Sequence, residues 1–175
     1  MYLMTDLIMF AVFFAAFAVL RNNTNGGPTA GELLSLPLAL TETLILLTSS
    51  FTCGIGMIFA RRNDKSKTLL FFILTFLLGV AFLSLELMEF GELFHEGQSY
   101  QNSAFLSSFF TLVGAHGLHI ASGLLWLGIL LVYITLRGVT DSAVRKLSLL
   151  SLFWHFLDIV WIFIFTIVYL FAHII

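Results

Sequence analysis

Charged side chains are scarce in this sequence: they make up 10% of the 175 residues, whereas 59% are hydrophobic and the mean hydropathy is +1.03. A water-soluble domain of this size needs a charged surface, so the composition excludes that class. The few charges lie in short clusters between long apolar runs, as helices surrounded by lipid require. The sequence therefore predicts an integral membrane protein.

Basic residues and cysteine are also few, and each shortage excludes something. The net charge is -2 and no continuous basic stripe occurs, which excludes a nucleic-acid partner. The single cysteine, Cys53, has no partner for an intrachain disulfide and is predicted to pack as a small hydrophobe. The N-terminal run lacks a basic n-region and a cleavage site, so it is predicted to be a retained helix. Its abrupt apolar start suggests that a polar leader precedes it.

Apolar runs of about 20 residues or more predict an all-α membrane bundle of five transmembrane helices. Residues 1–175 are predicted to form a single transmembrane domain with spans at Met1–Leu20, Pro37–Ala60, Thr68–Leu93, Ala104–Leu136 and Leu147–His173.

The connections are predicted at Arg21–Leu36, Arg61–Lys67, Phe94–Ser103 and Arg137–Lys146. The first contains a turn cluster of Asn25, Gly26, Gly27 and Pro28, which cannot continue a helix. Pro37 suits the first turn of the second helix because its missing N–H has no partner there.

The basic residues predict the orientation of the helices, because Lys and Arg stay on the cytoplasmic side during insertion. The connections after the second and fourth helices hold seven basic residues, and the opposite connections hold only Arg21. This places the N-terminus in the cytoplasm and the C-terminus outside, which in a bacterial inner membrane is the periplasm.

The predicted spans contain acids and histidines but no Lys or Arg. Eight of these polar residues are singled out: Asp6, Glu42, Glu86, Glu89, His116, His119, His155 and Asp158. A charge near the bilayer centre costs about 2.5 to 3.5 kcal/mol, so each carboxyl must be protonated, hydrogen-bonded or near an interface. Counting from the cytoplasmic helix ends at about 1.5 Å per residue places Asp6, His155 and Asp158 in an inner layer. The other five residues fall in an outer layer, where Glu86 or Glu89 is predicted to meet His116 or His119.

The pairs His116 and His119, and His155 and Asp158, each stand three residues apart and share a helix face. These pairs have three interpretations: a metal or haem site, a proton relay, or histidines hydrogen-bonded in a polar packing layer. A haem needs two histidines at one depth, but His119 and His155 differ by about nine residues, roughly 13 Å. A di-iron site needs Glu-x-x-His pairs, which are missing near these depths. Structural hydrogen bonding is favoured.

Small residues recur on two of the predicted helices. They let helix backbones approach closely, which membrane helices use because lipid gives no hydrophobic drive to associate. The fourth helix carries Gly114, Gly117, Ala121, Gly123 and Gly128, and the second carries Ser50, Cys53, Gly54 and Gly56.

Particular strings resemble subunit III of the haem-copper oxidases. Two signature stretches occur in order on the last two helices, Gly114-Ala115-His116-Gly117-Leu118-His119 and Trp154-His155-Phe156-Leu157-Asp158-Ile159-Val160-Trp161. Another string resembles the third helix of the family's short, five-helix form: Leu78-Gly79-Val80-Ala81-Phe82, followed by Glu86 and Glu89. Three further strings narrow the resemblance to the cytochrome o ubiquinol oxidase branch of this family: Gly26-Gly27-Pro28-Thr29, Leu36-Pro37 and Glu42-Thr43.

The resemblance implies an accessory subunit without haem or copper in this chain. Quinol oxidation, oxygen reduction and proton pumping would take place in other subunits, while this chain supports catalytic subunit I and binds phospholipid. Five helices match the short form, which lacks the first two of seven. Asp6 stands where longer members have a carbodiimide-reactive glutamate, so that reactivity is not carried over. The positions implied to be structural or lipid-contacting are Asp6, Glu89, His116, His119, His155 and Asp158.

Two other function classes remain open from the residues. A chain of carboxyls and imidazoles in lipid is also typical of a proton path, so a stand-alone proton-coupled transporter or channel is the main alternative. Against it, no inverted repeat and no span broken midway by Pro is found. A membrane-embedded metalloenzyme is the third class. No phosphate loop, copper-binding cluster or nucleophile with an oriented base is recognised.

Overall fold

Five helices in the described part of the chain are long and apolar enough to cross a membrane, which confirms the all-α class. The computed structural model describes residues 1–23, 25–26, 35–97, 101 and 104–174. The helices are α1 (Tyr2–Leu20), α2 (Leu36–Arg61), α3 (Lys65–His95), α4 (Ala104–Arg137) and α5 (Asp141–Ile164). A π-helical segment, Phe165–Leu170, and a last α-helical turn, Phe171–Ile174, continue α5. No strand occurs among these residues.

The turn between α2 and α3 is a Schellman motif closed by Asn63. Asn63 has a positive φ of 60°, a conformation that asparagine tolerates better than most residues. The N–H of Asp64 donates to the carbonyl of Phe59, and that of Asn63 to Ala60, both at 3.1 Å. Asp64 then caps α3, because its Oδ1 accepts the Lys67 N–H at 3.3 Å. The basic connection is therefore a tight hairpin.

The connection between α4 and α5 is much shorter than the predicted Arg137–Lys146. Gly138, with φ of 77°, ends α4 and donates its N–H to the carbonyl of Ile134 at 2.8 Å. Thr140 begins α5, because its Oγ1 accepts the Ala143 N–H at 3.2 Å. The helix therefore begins six residues before the predicted span start at Leu147, because the cap adds polar residues ahead of the apolar run. Arg145 and Lys146 therefore lie in a helix.

The other helix ends agree with the predicted spans to within three residues, and Pro37 lies in the first turn of α2 as predicted. Asn25 and Gly26 have positive φ values of 53° and 81°, which confirms a turn there. Gly27 and Pro28 lie outside the described residues.

The chain folds into two compact units, and α2, α3, α4 and α5 each contribute to both. The first unit comprises Met1–Thr43, Leu85–Leu118 and Ile159–Ile175, and the second comprises Leu44–Ser84 and His119–Asp158. That the 175 residues form a single domain stays a prediction.

The first unit has an aromatic interior. Phe17 packs on Phe105 with ring centroids 5.9 Å apart, and Phe109 meets Tyr169 edge-on at 6.4 Å. All four side chains are almost completely buried. These contacts bring α1 and the π-helical segment against the N-terminal part of α4.

Helices of the second unit are joined by hydrogen bonds of a tryptophan and of hydroxyl groups. Trp154 is buried and its Nε1 donates to Ser49 Oγ at 3.0 Å. The hydroxyl oxygens of Thr52 and Thr75 lie 2.8 Å apart and link α2 to α3. Hydrogen bonds between helices suit a lipid environment, where no water competes for the same groups.

Polar and apolar side chains are distributed as in a protein that is surrounded by lipid. Large apolar side chains such as Leu118 and Leu125, 73% and 69% exposed, point outward. Carboxyl groups such as Glu42 and Glu86 are buried instead. This arrangement keeps costly polar groups away from hydrocarbon.

Candidate functional site

The eight acids and histidines singled out in the sequence divide between the two units. The first unit contains Asp6, Glu42, Glu86, Glu89 and His116, and the second contains His119, His155 and Asp158. The units group residues by contact and not by depth in the membrane, so the inner and outer layers stay a prediction. Asp6 joins the first unit because α1 packs on the N-terminal part of α4, as the contact of Phe10 with His116 shows.

Three glutamates of the first unit form what we call the carboxyl cluster: Glu42 on α2, and Glu86 and Glu89 one turn apart on α3. They are 0%, 1% and 4% exposed. The carboxyls lie close enough for mutual electrostatic repulsion. Among the described residues, neither oxygen of Glu42 or Glu86 has a hydrogen-bond partner. Both carboxyls are therefore buried without the compensation that such groups normally have.

Tyr169 is the polar partner that the structure gives to Glu89. Its hydroxyl donates to Glu89 Oε2 at 2.9 Å, and the tyrosine is completely buried. The residue lies in the π-helical segment, a distortion that often accompanies functional sites. Tyr169 could not be singled out from the sequence, because nothing in an apolar run reveals which helix turn is π-helical.

Trp161 and His116 also belong to the polar interior of this unit. The indole Nε1 of Trp161 donates to Thr43 Oγ1 at 2.9 Å, beside Glu42 in the sequence. The His116 ring stacks on Trp161 at 5.4 Å between centroids and meets Phe10 at 6.3 Å. Aromatic rings therefore cover His116 from α1 and from α5.

The predicted meeting of α3 glutamates with α4 histidines stays a prediction, and the structure describes the surroundings of these residues. Glu86 lies against Gly117, the neighbour of His116: a Cβ on Gly117 would be 3.1 Å from Glu86 Oε2. The hydrogen bond of Glu89 goes to Tyr169. His119 lies in the second unit, where its ring is 6.4 Å from that of Phe153.

His155 and Asp158 share a face of α5, as their spacing predicts. The Nδ1 of His155 lies 3.8 Å from Asp158 Oδ2 and 2.5 Å from the hydroxyl oxygen of Ser50. Asp158 is buried, whereas His155 is half-buried. The hydroxyl of Ser50 therefore links α2 to the α5 pair, a partner that the sequence pattern did not single out for His155.

The comparisons with known proteins point to one family. The family model for cytochrome c oxidase subunit III matches residues 1–173. The chain belongs to this family. It is 51% identical over 170 residues to cytochrome bo(3) ubiquinol oxidase subunit 3 of Pseudomonas aeruginosa, covering 97% of this chain and 81% of that protein.

Members of the subunit III family with different names are also similar to this chain. Cytochrome c oxidase subunit 3 of a Bacillus species is 46% identical over 165 residues, covering 94% of this chain and 80% of that protein. Quinol oxidase subunit 3 of Bacillus subtilis is 43% identical over 169 residues, covering 97% of this chain and 83% of that protein. These findings confirm the resemblance inferred from the motifs on α4 and α5.

The glycines of this subunit III chain differ in how closely they are packed. A Cβ at Gly123 would lie 3.1 Å from the Phe153 ring, so this position and Gly117 adjoin other helices closely. A Cβ at Gly114 would meet no described atom within 4 Å. Ala121 is half-buried. The packing role predicted for Gly114 and Ala121 stays a prediction.

Gly79 on α3 is a close-packed glycine that the sequence analysis did not assign to packing. A Cβ there would lie 2.7 Å from Leu124 Cδ2 and 2.8 Å from Trp154 Cη2. The only sequence signal was its place in a string shared with the subunit III family. Gly79 gives the rigid Trp154 ring room beside α3.

Proposed function

We propose that this chain is the non-catalytic subunit III of a terminal quinol oxidase. The observation that carries the proposal is the 51% identity, along 97% of the chain, to a protein named as a ubiquinol oxidase subunit. The Bacillus subtilis relative is named a quinol oxidase subunit as well. Quinol oxidation, reduction of oxygen to water and proton pumping then belong to the complex as a whole.

The proposed partners are the catalytic subunit I and the other oxidase subunits. Haem and copper are assigned to the catalytic subunit. The described residues hold no group of three or more His, Cys, Asp or Glu side chains that could hold a metal ion. This chain would stabilise the catalytic subunit through its helix surfaces.

The proposed location is the bacterial inner membrane, with the N-terminus in the cytoplasm. The basic residues support this orientation: Arg61, Arg62, Lys65 and Lys67 lie at or near the α2–α3 hairpin, and Arg137, Arg145 and Lys146 lie near the α4–α5 turn. An alkaline phosphatase fused after the last residue should be active in the periplasm. An inactive fusion, with an active one at the α2–α3 hairpin, would reverse the orientation.

Phospholipid is proposed as a further ligand, held on the second unit. An apolar groove of about 560 Å³ there is lined by Phe76, Leu124, Leu125, Gly128, Ile129 and Val132. Lys65 Nζ donates to the carbonyl of Thr135 at 3.0 Å, three residues beyond the last lining residue. Arg137 lies two residues further on and is exposed. An acyl chain in the groove would thus bring an anionic phosphate to these cations.

The lipid proposal is tested by measuring phospholipid retained by the purified complex after mild detergent washing. Replacing Lys65 and Arg137 together by Gln should lower retention. The Arg21→Gln control, whose residue follows α1, should leave it unchanged. Equal retention in all three proteins would mean that only ordinary surrounding lipid is bound.

The subunit proposal is tested by gentle purification through a tag on this chain. Haem absorption bands should co-purify with the tagged chain, and they should vanish when the chain is isolated alone in harsher detergent. A colourless monomer under gentle conditions would contradict the proposal. Proton flux through vesicles containing this chain alone would favour a stand-alone transporter instead.

A further inference from the structure

The carboxyl cluster lacks partners that a buried acidic site requires. Glu42 and Glu86 are 0% and 1% exposed, and their four carboxyl oxygens accept no hydrogen bond from any described residue. Buried polar groups in folded proteins are nearly always satisfied by protein atoms, water or an ion. Two buried carboxyls without hydrogen-bond partners in one unit therefore point to something that fills the role of a partner.

Lysine and arginine are almost absent from the sequence of the first unit. Arg21 is the only Lys or Arg in its sequence ranges, and it is exposed beyond the end of α1. Three unpaired negative charges in one lipid-embedded interior would repel one another strongly, because the low dielectric screens them little. Full ionisation of the cluster is thus the least favourable arrangement.

A metal ion is not the partner that the geometry favours. The described residues contain no group of three ligands arranged for a metal, although the cluster itself has three carboxyls. Small cations also require several oxygen ligands directed at one point. Protons and water need no such convergence, since each carboxyl oxygen can be satisfied separately.

We propose that the carboxyl cluster is a buried proton-binding site, in which protonated carboxyls and bridging water molecules satisfy Glu42 and Glu86. The cluster then carries fewer negative charges than its three carboxyls. Each protonated carboxyl supplies one O–H donor to a neighbouring carboxyl or to water. Such a group of shared protons is an exchangeable proton store inside the membrane, and it does not depend on the proposed role of the chain as subunit III.

Two neighbouring features are suited to this role. Gly117 has no side chain, so the Glu86 carboxyl lies directly against the α4 backbone, 3.1 to 3.4 Å from the position of a Cβ. The π-helical segment brings the Tyr169 hydroxyl to Glu89, leaving Glu89 Oε1 without a described partner. The other buried titratable groups of the unit are Asp6 on α1 and His116 on α4.

The proposal is tested by infrared spectroscopy of the intact complex in H₂O and D₂O. Wild type should show C=O stretching bands of protonated carboxyls that shift to lower frequency in D₂O. Glu42→Gln and Glu86→Gln should each remove or shift such a band. The matched control is Glu96→Gln, an exposed glutamate that directly follows α3, which should change nothing in this region. Subtracting each variant from wild type removes the bands of other subunits.

Two results would overturn the proposal. Identical protonated-carboxyl bands in wild type, Glu42→Gln and Glu86→Gln would mean that both groups are ionised. A stoichiometric metal ion in the wild type that is lost in Glu86→Gln would assign the site to a cation. If the Gln variants fail to assemble, Tyr169→Phe keeps all three carboxyls and removes only the hydroxyl donor. It should shift a protonated-carboxyl band, and an unchanged spectrum would again contradict the proposal.

Discussion

At the scale of single residues, interior positions depend on two physical limits: the space beside a rigid ring, and the satisfaction of a buried polar atom. Gly79 illustrates the first, because the Trp154 ring that adjoins it is itself fixed by a hydrogen bond to Ser49. Tyr169 illustrates the second, because it supplies the only described hydrogen bond to a carboxyl of the cluster. Each limit gives a mutational prediction.

Gly79→Ala should destabilise the protein by roughly 1–3 kcal/mol, the usual cost of overpacking. The added methyl would lie 2.8 Å from Trp154 Cη2, and the ring cannot move without losing its hydrogen bond. The measurement is the thermal denaturation midpoint of the purified protein in detergent. Gly128→Ala is the control, since its Cβ would be 3.7 Å from Phe76, an ordinary contact. Equal midpoints for the two variants would contradict the close approach.

Tyr169→Phe should cost about 1–3 kcal/mol, because Glu89 Oε2 would lose its donor while remaining buried. The phenyl ring keeps the aromatic contacts with Phe109 and Trp161, so the packing changes little. The same denaturation midpoint reports the loss. Tyr2→Phe, at an exposed tyrosine of α1, should be neutral. A neutral result at both positions would mean that the hydrogen bond adds nothing to stability.

At the scale of secondary-structure elements, apolar runs show where a helix crosses lipid, whereas capping residues decide where it begins. The run starting at Leu147 predicted the apolar part of α5, yet the helix begins at Asp141. The added turn contains Arg145 and Lys146, and the Lys146 ammonium lies 5.0 Å from the Tyr133 ring centroid. Hydropathy does not detect such a turn because its residues are polar. Thr140 is nevertheless a residue type that commonly caps helix N-termini, so the sequence did contain a sign of the helix start.

Thr140→Ala should destabilise α5 by about 1 kcal/mol, since the Ala143 N–H would lose its capping acceptor. The expected result is a lower thermal denaturation midpoint and faster proteolysis at the α4–α5 turn. Thr135→Ala is the matched control: Thr135 is exposed, and its hydroxyl only donates back to the carbonyl of Leu131. If both variants denature together with wild type, Thr140 does not act as a cap.

The π-helical segment is the element that sequence reasoning could not locate. Phe165–Leu170 contains no proline or glycine, the residues that usually mark a distorted helix. Its hydrogen bonding changes where the buried Tyr169 makes tertiary contacts with Glu89, Trp161 and Phe109. Contacts with Glu89 and Phe109 join residues far apart in the sequence, so no local pattern reports them.

At the scale of the whole molecule, a chain with outward apolar side chains and buried acids is built for lipid and for contact with other membrane subunits. The exposed faces of its helices are rich in Leu, Ile and Phe. Such surfaces suit both surroundings, so association with a partner rests on shape and on a few polar groups. The proposed accessory role follows from this surface and from the family.

Deleting this chain should leave the initial rate of quinol oxidation largely intact, while the complex assembles poorly or loses activity sooner during turnover. The physical reason is that the catalytic groups are proposed to lie in another subunit, which this chain is proposed to stabilise. The measurement is the time course of oxygen consumption by membranes normalised to haem content. An immediate and complete loss of activity in an otherwise intact complex would contradict the accessory role.

The sequence by itself determined the solvent of this protein, the number of its long helices and its family. Those properties depend on composition and on contiguous motifs, such as the apolar runs and the strings around His116 and His155. Only the tertiary structure decided that Glu86 lies against Gly117, that Tyr169 donates to Glu89 and that Asp6 joins the first unit. The reason is that a lipid-facing helix has no polar face to reveal its rotation, so packing between helices alone decides which buried groups meet.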